Sequence, residues 1–202
     1  METLLFNIRD EYRPFSQESI KKIQSSISMN CEICLLNIRT CGNIGMLIRQ
    51  ACLMGCKSVI ICGRKHYDKR FTVGSHNYIP VNFWETPINV TITCKKGTNP
   101  TEYIEKVDYN VNEFVKLCGD RTPIFLEQYG TDIREVPWKC IENQLVIVGN
   151  ESLGIPKDFI ESVKGLIPRT VVVSIPQWSV MRSLNVSNAT SIVLWEIRKN
   201  TI

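Results

Sequence analysis

The chain has 202 residues, 44% of them hydrophobic and 22% charged, enough apolar material for one well-filled core. Its longest apolar runs are strand-sized, which argues against a membrane-spanning helix, and nine cysteines in a chain this long argue for free thiols over a secreted disulfide scaffold. A net charge of +4 permits an anionic partner without demanding one, so nucleic-acid binding has to be argued from a site.

At the N-terminus, Asp10 and Glu11 follow close behind a very short apolar run, unlike a signal peptide, and a cytoplasmic or nuclear location is expected. Residues 15–29 read as a helix: Ser16 suits the N-cap, Gln17 and Glu18 fill the first turn, and Ile20, Ile23 and Ile27 form one stripe. An apolar run follows, Ile33-Cys34-Leu35-Leu36, then a break at Thr40-Cys41-Gly42. A helix from Asn43 to Met54 comes next, with Ile44, Leu47, Ile48, Ala51 and Met54 on its buried side.

Ser58-Val-Ile-Ile-Cys-Gly63 has the continuous apolar pattern of a strand buried on both faces, so a βαβ unit is expected. Residues 88–94 alternate like a strand, 95–100 read as a loop, and 101–118 suggest one or two helices. Pro123–Leu126 and Leu145–Gly149 are further buried strands. The rest reads as a helix over 156–164, a strand over 171–175, a loop over 176–183 and a C-terminal helix over 184–199. Alternation of this kind predicts an α/β fold, a mostly parallel sheet flanked by helices. Ligands bind such sheets at the carboxyl ends of the strands, so the loops after residues 126, 149 and 175 are expected to converge on a site.

Those loops also carry the least generic sequence. Gly149-Asn150-Glu151-Ser152-Leu153-Gly154-Ile155-Pro156 follows a buried strand, and Ile175-Pro176-Gln177-Trp178 leads through Arg182-Ser183-Leu184-Asn185 into the last helix. Upstream lies Asn43-Ile44-Gly45-Met46-Leu47-Ile48-Arg49-Gln50-Ala51. In order and spacing the three segments resemble the motifs of the SpoU/TrmH class of SPOUT RNA 2′-O-methyltransferases. Within that class, Phe125-Leu126-Glu127-Gln128, Ile175-Pro-Gln177 and Leu194-Trp-Glu196 resemble the catalytic domain of eukaryotic tRNA D-loop guanosine 2′-O-methyltransferases.

The resemblance implies a SPOUT fold with a C-terminal trefoil knot, the methyltransferase domain taking residues 31–202; residues 1–30 lie outside it and are expected to form an N-terminal extension with a short helix. It implies S-adenosylmethionine as cofactor, held near Leu126, Gly149, Asn150, Gly154, Ile175 and Leu184; no metal is expected from the cysteine and histidine spacing. Arg49 is the expected activator of the ribose hydroxyl, with Asn43, Glu151, Ser183 and Asn185 positioning cofactor and nucleotide. The partners implied are RNA, with tRNA expected, and a second copy of the chain whose Arg49 serves the neighbouring site. A D-loop guanosine is the expected target; a wobble-position nucleotide, rRNA, or a catalytically silent knotted RNA-binding module are the alternatives.

Plainer readings stand beside these. Arg49 suits a snorkelling side chain, Glu151 a cap of the helix after it, and Ser183 and Asn185 caps of the last helix. Cys31 and Cys34 invite a zinc reading, but strand alternation sends them to opposite faces. Lys65, Lys69 and Arg70 with Tyr67 and Phe71 suit either an RNA grip or a solvated loop. Trp178 departs from the family pattern and is expected to narrow or reshape the cofactor mouth.

Overall fold

The computed structural model of the chain describes residues 7–85, 88–95, 102–181 and 183–201. Helix α1 (Gln17–Ser26) begins on Ser16, whose hydroxyl accepts the Ser19 N–H at 3.2 Å, the cap its sequence predicts. Strand β1 (Cys31–Leu36), helix α2 (Cys41–Met54) and strand β2 (Val59–Cys62) form the expected βαβ unit, with β1 and β2 parallel. A short helix α3 (Lys69–Thr72) leads to strand β3 (Val81–Trp84), parallel to β2 at the sheet edge.

Strand β4 (Ile88–Lys95) pairs antiparallel with β5 (Glu102–Tyr109), from Ile88↔Tyr109 to Lys95↔Glu102. The helical reading of 101–118 therefore fails over its first half. Tyr103, Ile104, Val107 and Tyr109 are residue types that favour strands, and pairing with β4 supplies main-chain hydrogen bonds that a short isolated helix would have to match alone. Only α4 (Val111–Cys118) is helical, capped by Asn110, whose side chain accepts the Glu113 N–H at 3.1 Å. Of the expected loop, residues 96–100 lie outside the described residues.

The remaining elements are β6 (Thr122–Asp132), β7 (Gln144–Val148), α5 (Lys157–Leu166), β8 (Val171–Ser174) and α6 (Val186–Thr201). Six strands form one sheet in the order β3-β2-β1-β7-β6-β8, every neighbouring pair parallel. Side-chain alternation divides the core between its faces. Ile33, Leu35, Val146 and Val148 pack with Leu47, Ile48, Val193 and Leu194 of α2 and α6. On the other face Cys34, Leu36, Leu145 and Ile147 pack with Phe114 and Phe159 of α4 and α5. Cys31 and Cys34 do face opposite ways, one in each cluster.

One irregularity prepares the site. Leu126 and Thr131 both align with Val173 of β8, so residues 127–130 bulge out of the β6 ladder at its carboxyl half. The segment between Asn37 and Thr40, after β1, meets the loop after β7 on the same rim.

Candidate active site

The carboxyl ends of β6, β7 and β8 and the start of α6 enclose a cleft of about 660 Å³. All six residues expected to hold a cofactor, Leu126, Gly149, Asn150, Gly154, Ile175 and Leu184, line it. Glu151, Ser183 and Asn185 line it too. Asn43 sits one hydrogen bond behind the wall, and Arg49 is absent from the lining. Arg182, between these motif residues, lies outside the described residues.

The turn after β7 is shaped by Asn150, which is buried. Its Oδ1 accepts the N–H groups of Ser152 and Leu153 at 2.9 and 3.0 Å, its Nδ2 donates to the Asn37 carbonyl at 3.0 Å, and its own carbonyl accepts the Gly154 N–H at 2.9 Å. The side chain thus shapes the cleft floor and ties it to the end of β1. Gly149 fits because a Cβ there would lie 2.4 Å from Ile155 Cγ1 and 2.9 Å from the Gly154 backbone. Gly154 adopts φ +64°, the left-handed region where glycine carries no steric penalty.

Glu151 does not cap the helix that follows it. Its carboxylate reaches across to α2, accepting the N–H groups of Arg39 at 2.9 Å and Thr40 at 3.1 Å and the Asn43 Nδ2 at 2.8 Å. Thr40, the N-cap of α2, makes no side-chain cap of its own, so the acid from the other loop serves that helix start. Burial pushes the Glu151 carboxyl upward, but the Arg39 N–H, the Asn43 amide and the other donors outweigh it and hold the group below the ordinary glutamate value. From the other side, Asn185 Nδ2 donates to Asn43 Oδ1 at 3.2 Å. Asn185 also caps α6: its Oδ1 accepts the Ser187 N–H at 2.8 Å and its carbonyl accepts the Ala189 N–H at 2.9 Å. One line, Glu151–Asn43–Asn185, therefore joins all three sequence motifs.

Arg49 is exposed and makes no hydrogen bond or ion pair with a described residue. At 3.6 residues per turn it lies about 120° around α2 from Asn43, so it faces away from the cleft of its own chain. Ser183 is exposed on the cleft wall. Trp178 is 84% exposed and absent from the cleft lining, with the Arg134 guanidinium 5.8 Å from its ring centroid, while Gln177 takes the wall. Glu127 falls within a segment that carries the resemblance, but the bulge that turns it into the cleft is not legible in the sequence. Glu127 Oε1 accepts the Ile155 N–H at 2.7 Å and sits against Gly154, and burial pushes its carboxyl above the ordinary value against the pull of two backbone donors. The available signal was an acid placed directly after a buried strand end.

Relatives carry the same architecture. Over 115 residues the chain is 30% identical to the tRNA (guanosine(18)-2′-O)-methyltransferase of Aquifex aeolicus, covering 55% of this chain and 50% of that protein. The chain spans half the length of this relative. Among solved structures, the A. aeolicus TrmH/SpoU tRNA modifying enzyme superposes with a TM-score of 0.67 at 17% identity, covering 91% of this chain and 81% of that one. The AdoMet-bound rRNA methyltransferase from Sinorhizobium meliloti gives 0.63 at 22% identity, covering 91% and 60%. Both likenesses are likenesses of fold. The model described as the SpoU rRNA Methylase family matches residues 30–195, from the start of β1 through most of α6. Because that match takes in the whole parallel sheet and every one of the linked motif segments, this chain belongs to the SpoU rRNA Methylase family.

Proposed function

We propose that this chain is an S-adenosylmethionine-dependent RNA 2′-O-ribose methyltransferase acting on tRNA, with a D-loop guanosine as its target. The observation that carries the reading is the Glu151–Asn43–Asn185 line, which holds three segments distant in sequence at the edge of one cleft. A family match over most of the chain and a relative named for tRNA guanosine 2′-O-methylation support it.

The cleft suits the cofactor. Small-molecule sites run from about 300 to 1,000 Å³, and this one sets apolar walls from Leu126, Val148, Ile175 and Leu184 beside main-chain groups at three strand ends. Bound S-adenosylmethionine would supply an electrophilic methyl carbon on a sulfonium. Leu126, Val148, Ile175 and Leu184 would bury its adenine ring, and main-chain amides and carbonyls at the strand ends would satisfy the ring's polar edge. A ribose hydroxyl is a poor nucleophile and must shed its proton as it attacks. Glu151 is committed to three donors, so it holds Asn43 and the α2 start in place and does not collect that proton. Asn185 and Ser183 orient the nucleotide. A guanidinium stays protonated at neutral pH, which fits Arg49 as a clamp on the RNA phosphate that favours loss of the hydroxyl proton, and the proton passes to solvent water as the oxygen takes the methyl group.

Arg49 points away from its own cleft, so the reading requires a homodimer in which it serves the partner's site. Leu53 on α2 and Trp195 on α6 are 70% and 58% exposed, apolar surface suited to a second copy. The same reading carries residues 31–202 as the catalytic domain, residues 1–30 as an extension, and a knotted C-terminus. Work on tRNA would place the protein in the cytoplasm or nucleus, and among the described residues no helix is long and apolar enough to cross a membrane.

The test is incubation of the protein with labelled S-adenosylmethionine and total tRNA, followed by digestion to nucleosides and mapping. Label in a 2′-O-methylguanosine of the D-loop is expected. Label on a base, or none despite tight cofactor binding, refutes the assignment.

A further inference from the structure

The rim that carries the cofactor cleft holds a second depression, of about 600 Å³, lined by Cys41, Lys65, His66, Tyr67, Lys69 and Phe83 among others. Its walls come from the loop after β2 and from β3, so it opens at the same carboxyl edge of the sheet. Strand β2 lies two places from β7 and β3 four places from β6, so at about 4.8 Å per strand spacing roughly 10 Å separates the facing walls of the two depressions and roughly 19 Å their middles. Backbone joins them directly: the Arg39 N–H holds Glu151, and the Arg39 carbonyl accepts a hydrogen bond from Arg64 Nη1 at 2.7 Å.

The charge there is lopsided. Residues 64–70 contain Arg64, Lys65, Lys69 and Arg70 against the single acid Asp68. Asp68 is occupied by Arg70, at 2.7 Å from Nη2. Lys65 pairs with Glu85 across the surface, and Lys69 is exposed with no ion pair to a described residue. Exposed pairs of this kind are weak because water screens them, so a phosphate can displace them. Phe83 is 42% exposed at the wall, a ring face turned to solvent where a protein would ordinarily bury it. Exposed lysines beside an accessible aromatic ring are the components that hold single-stranded nucleic acid, phosphate on the cations and base on the ring.

We propose that this depression is a nucleotide subsite for RNA flanking the target ribose, with Lys65 and Lys69 meeting phosphates and Phe83 stacking a base. The proposal rests on the methyltransferase reading above, which puts the reacting ribose in the neighbouring cleft. A loop base lying outside a duplex is the form of RNA that such a ring accepts.

The experiment compares wild type, the double variant Lys65→Ala/Lys69→Ala, Phe83→Ala and Phe83→Trp. It measures tRNA binding over a salt series, S-adenosylmethionine binding by calorimetry, and methyl transfer. For the double variant the RNA dissociation constant is expected to rise about tenfold or more. The slope of its logarithm against log salt should fall by about 1.4, two phosphates at about 0.7 each, with cofactor affinity unchanged. Phe83→Ala is expected to weaken RNA binding about tenfold at an unchanged salt slope, and Phe83→Trp to restore it. Both lysines are exposed, so the double variant carries the test alone if Phe83→Ala fails to fold. Variants that bind tRNA with wild-type affinity and slope, beside a wild type that methylates tRNA, overturn the subsite and leave the methyltransferase reading standing. A wild type that binds the cofactor but no RNA overturns both.

Discussion

Glu151→Ala removes the acceptor for two backbone N–H groups at the start of α2 and for the Asn43 amide. Loss of an N-cap costs about 0.5–2 kcal/mol, and loss of an anion at a helix N-terminus about 0.3–1 kcal/mol. The carboxylate is half-buried, so water can reach the freed N–H groups, which favours the lower part of the summed range, about 1–2 kcal/mol. In a chain of this length that is a melting-temperature drop of about 2–8 °C. The sign with pH follows from the lowered carboxyl: the folded state favours the charged form, so the contribution is complete at pH 7. It is lost as pH falls through the ordinary glutamate value of about 4.3 and the lower folded value. Thermal melts of wild type and Glu151→Gln at pH 7 and at pH 3.5 to 4 should therefore differ more at the higher pH. Turnover by Glu151→Ala should fall by about 10²-fold, because Asn43 and the helix start lose their register and small misplacements near reacting atoms cost that much. A Glu151→Gln protein whose deficit does not shrink in acid, or a Glu151→Ala protein with wild-type turnover, would refute this account of the site.

Three further outcomes are expected. Arg49→Ala should abolish methyl transfer while S-adenosylmethionine binding by calorimetry survives; mixing it with Asn185→Ala chains should recover part of the activity, since a mixed dimer rebuilds one complete site, and no recovery would exclude action across the dimer. Gly149→Ala forces a Cβ to within 2.4 Å of Ile155, so it should cost about 1–3 kcal/mol in denaturant titration and weaken cofactor binding, and an unaffected protein would mean the turn relaxes freely. Among the cysteines whose side chains are described, thiol labelling of the native protein should modify exposed Cys140 first, while Cys34, whose thiol is driven up by its contact with Cys62 and by burial, and Cys118, pushed by burial to about 12, react only on unfolding; early modification of Cys34 or Cys118 would show that the sheet opens locally.

Much of this molecule is legible along the chain because local chemistry and final environment agree. The run Leu145–Val148 reads as a doubly buried strand since parallel strands between helices leave neither face for polar residues, and β7 is buried throughout. Ser16 reads as a cap because a hydroxyl before a helix start has one main use. The three motif segments point to a cofactor site through their resemblance to the SpoU/TrmH motifs, and the six residues that the resemblance assigns to it line one cleft. Elsewhere the deciding partner is remote. Residues 102–109 become a strand because β4 is there to pair with them, and the bulge that brings Glu127 into the cleft exists because Leu126 and Thr131 share one position on β8. Glu151 reads as the cap of its own following helix, yet it serves α2, more than a hundred residues earlier in the chain. Arg49 and Asn43 are near neighbours in sequence, but helical rotation sends them to different surfaces. Sequence thus determines which residues a site is made from, because period and residue type are local properties. Which of them touch, and which way each one faces, belongs to the tertiary structure, because hydrogen bonds and close contacts act across space without regard to separation along the chain.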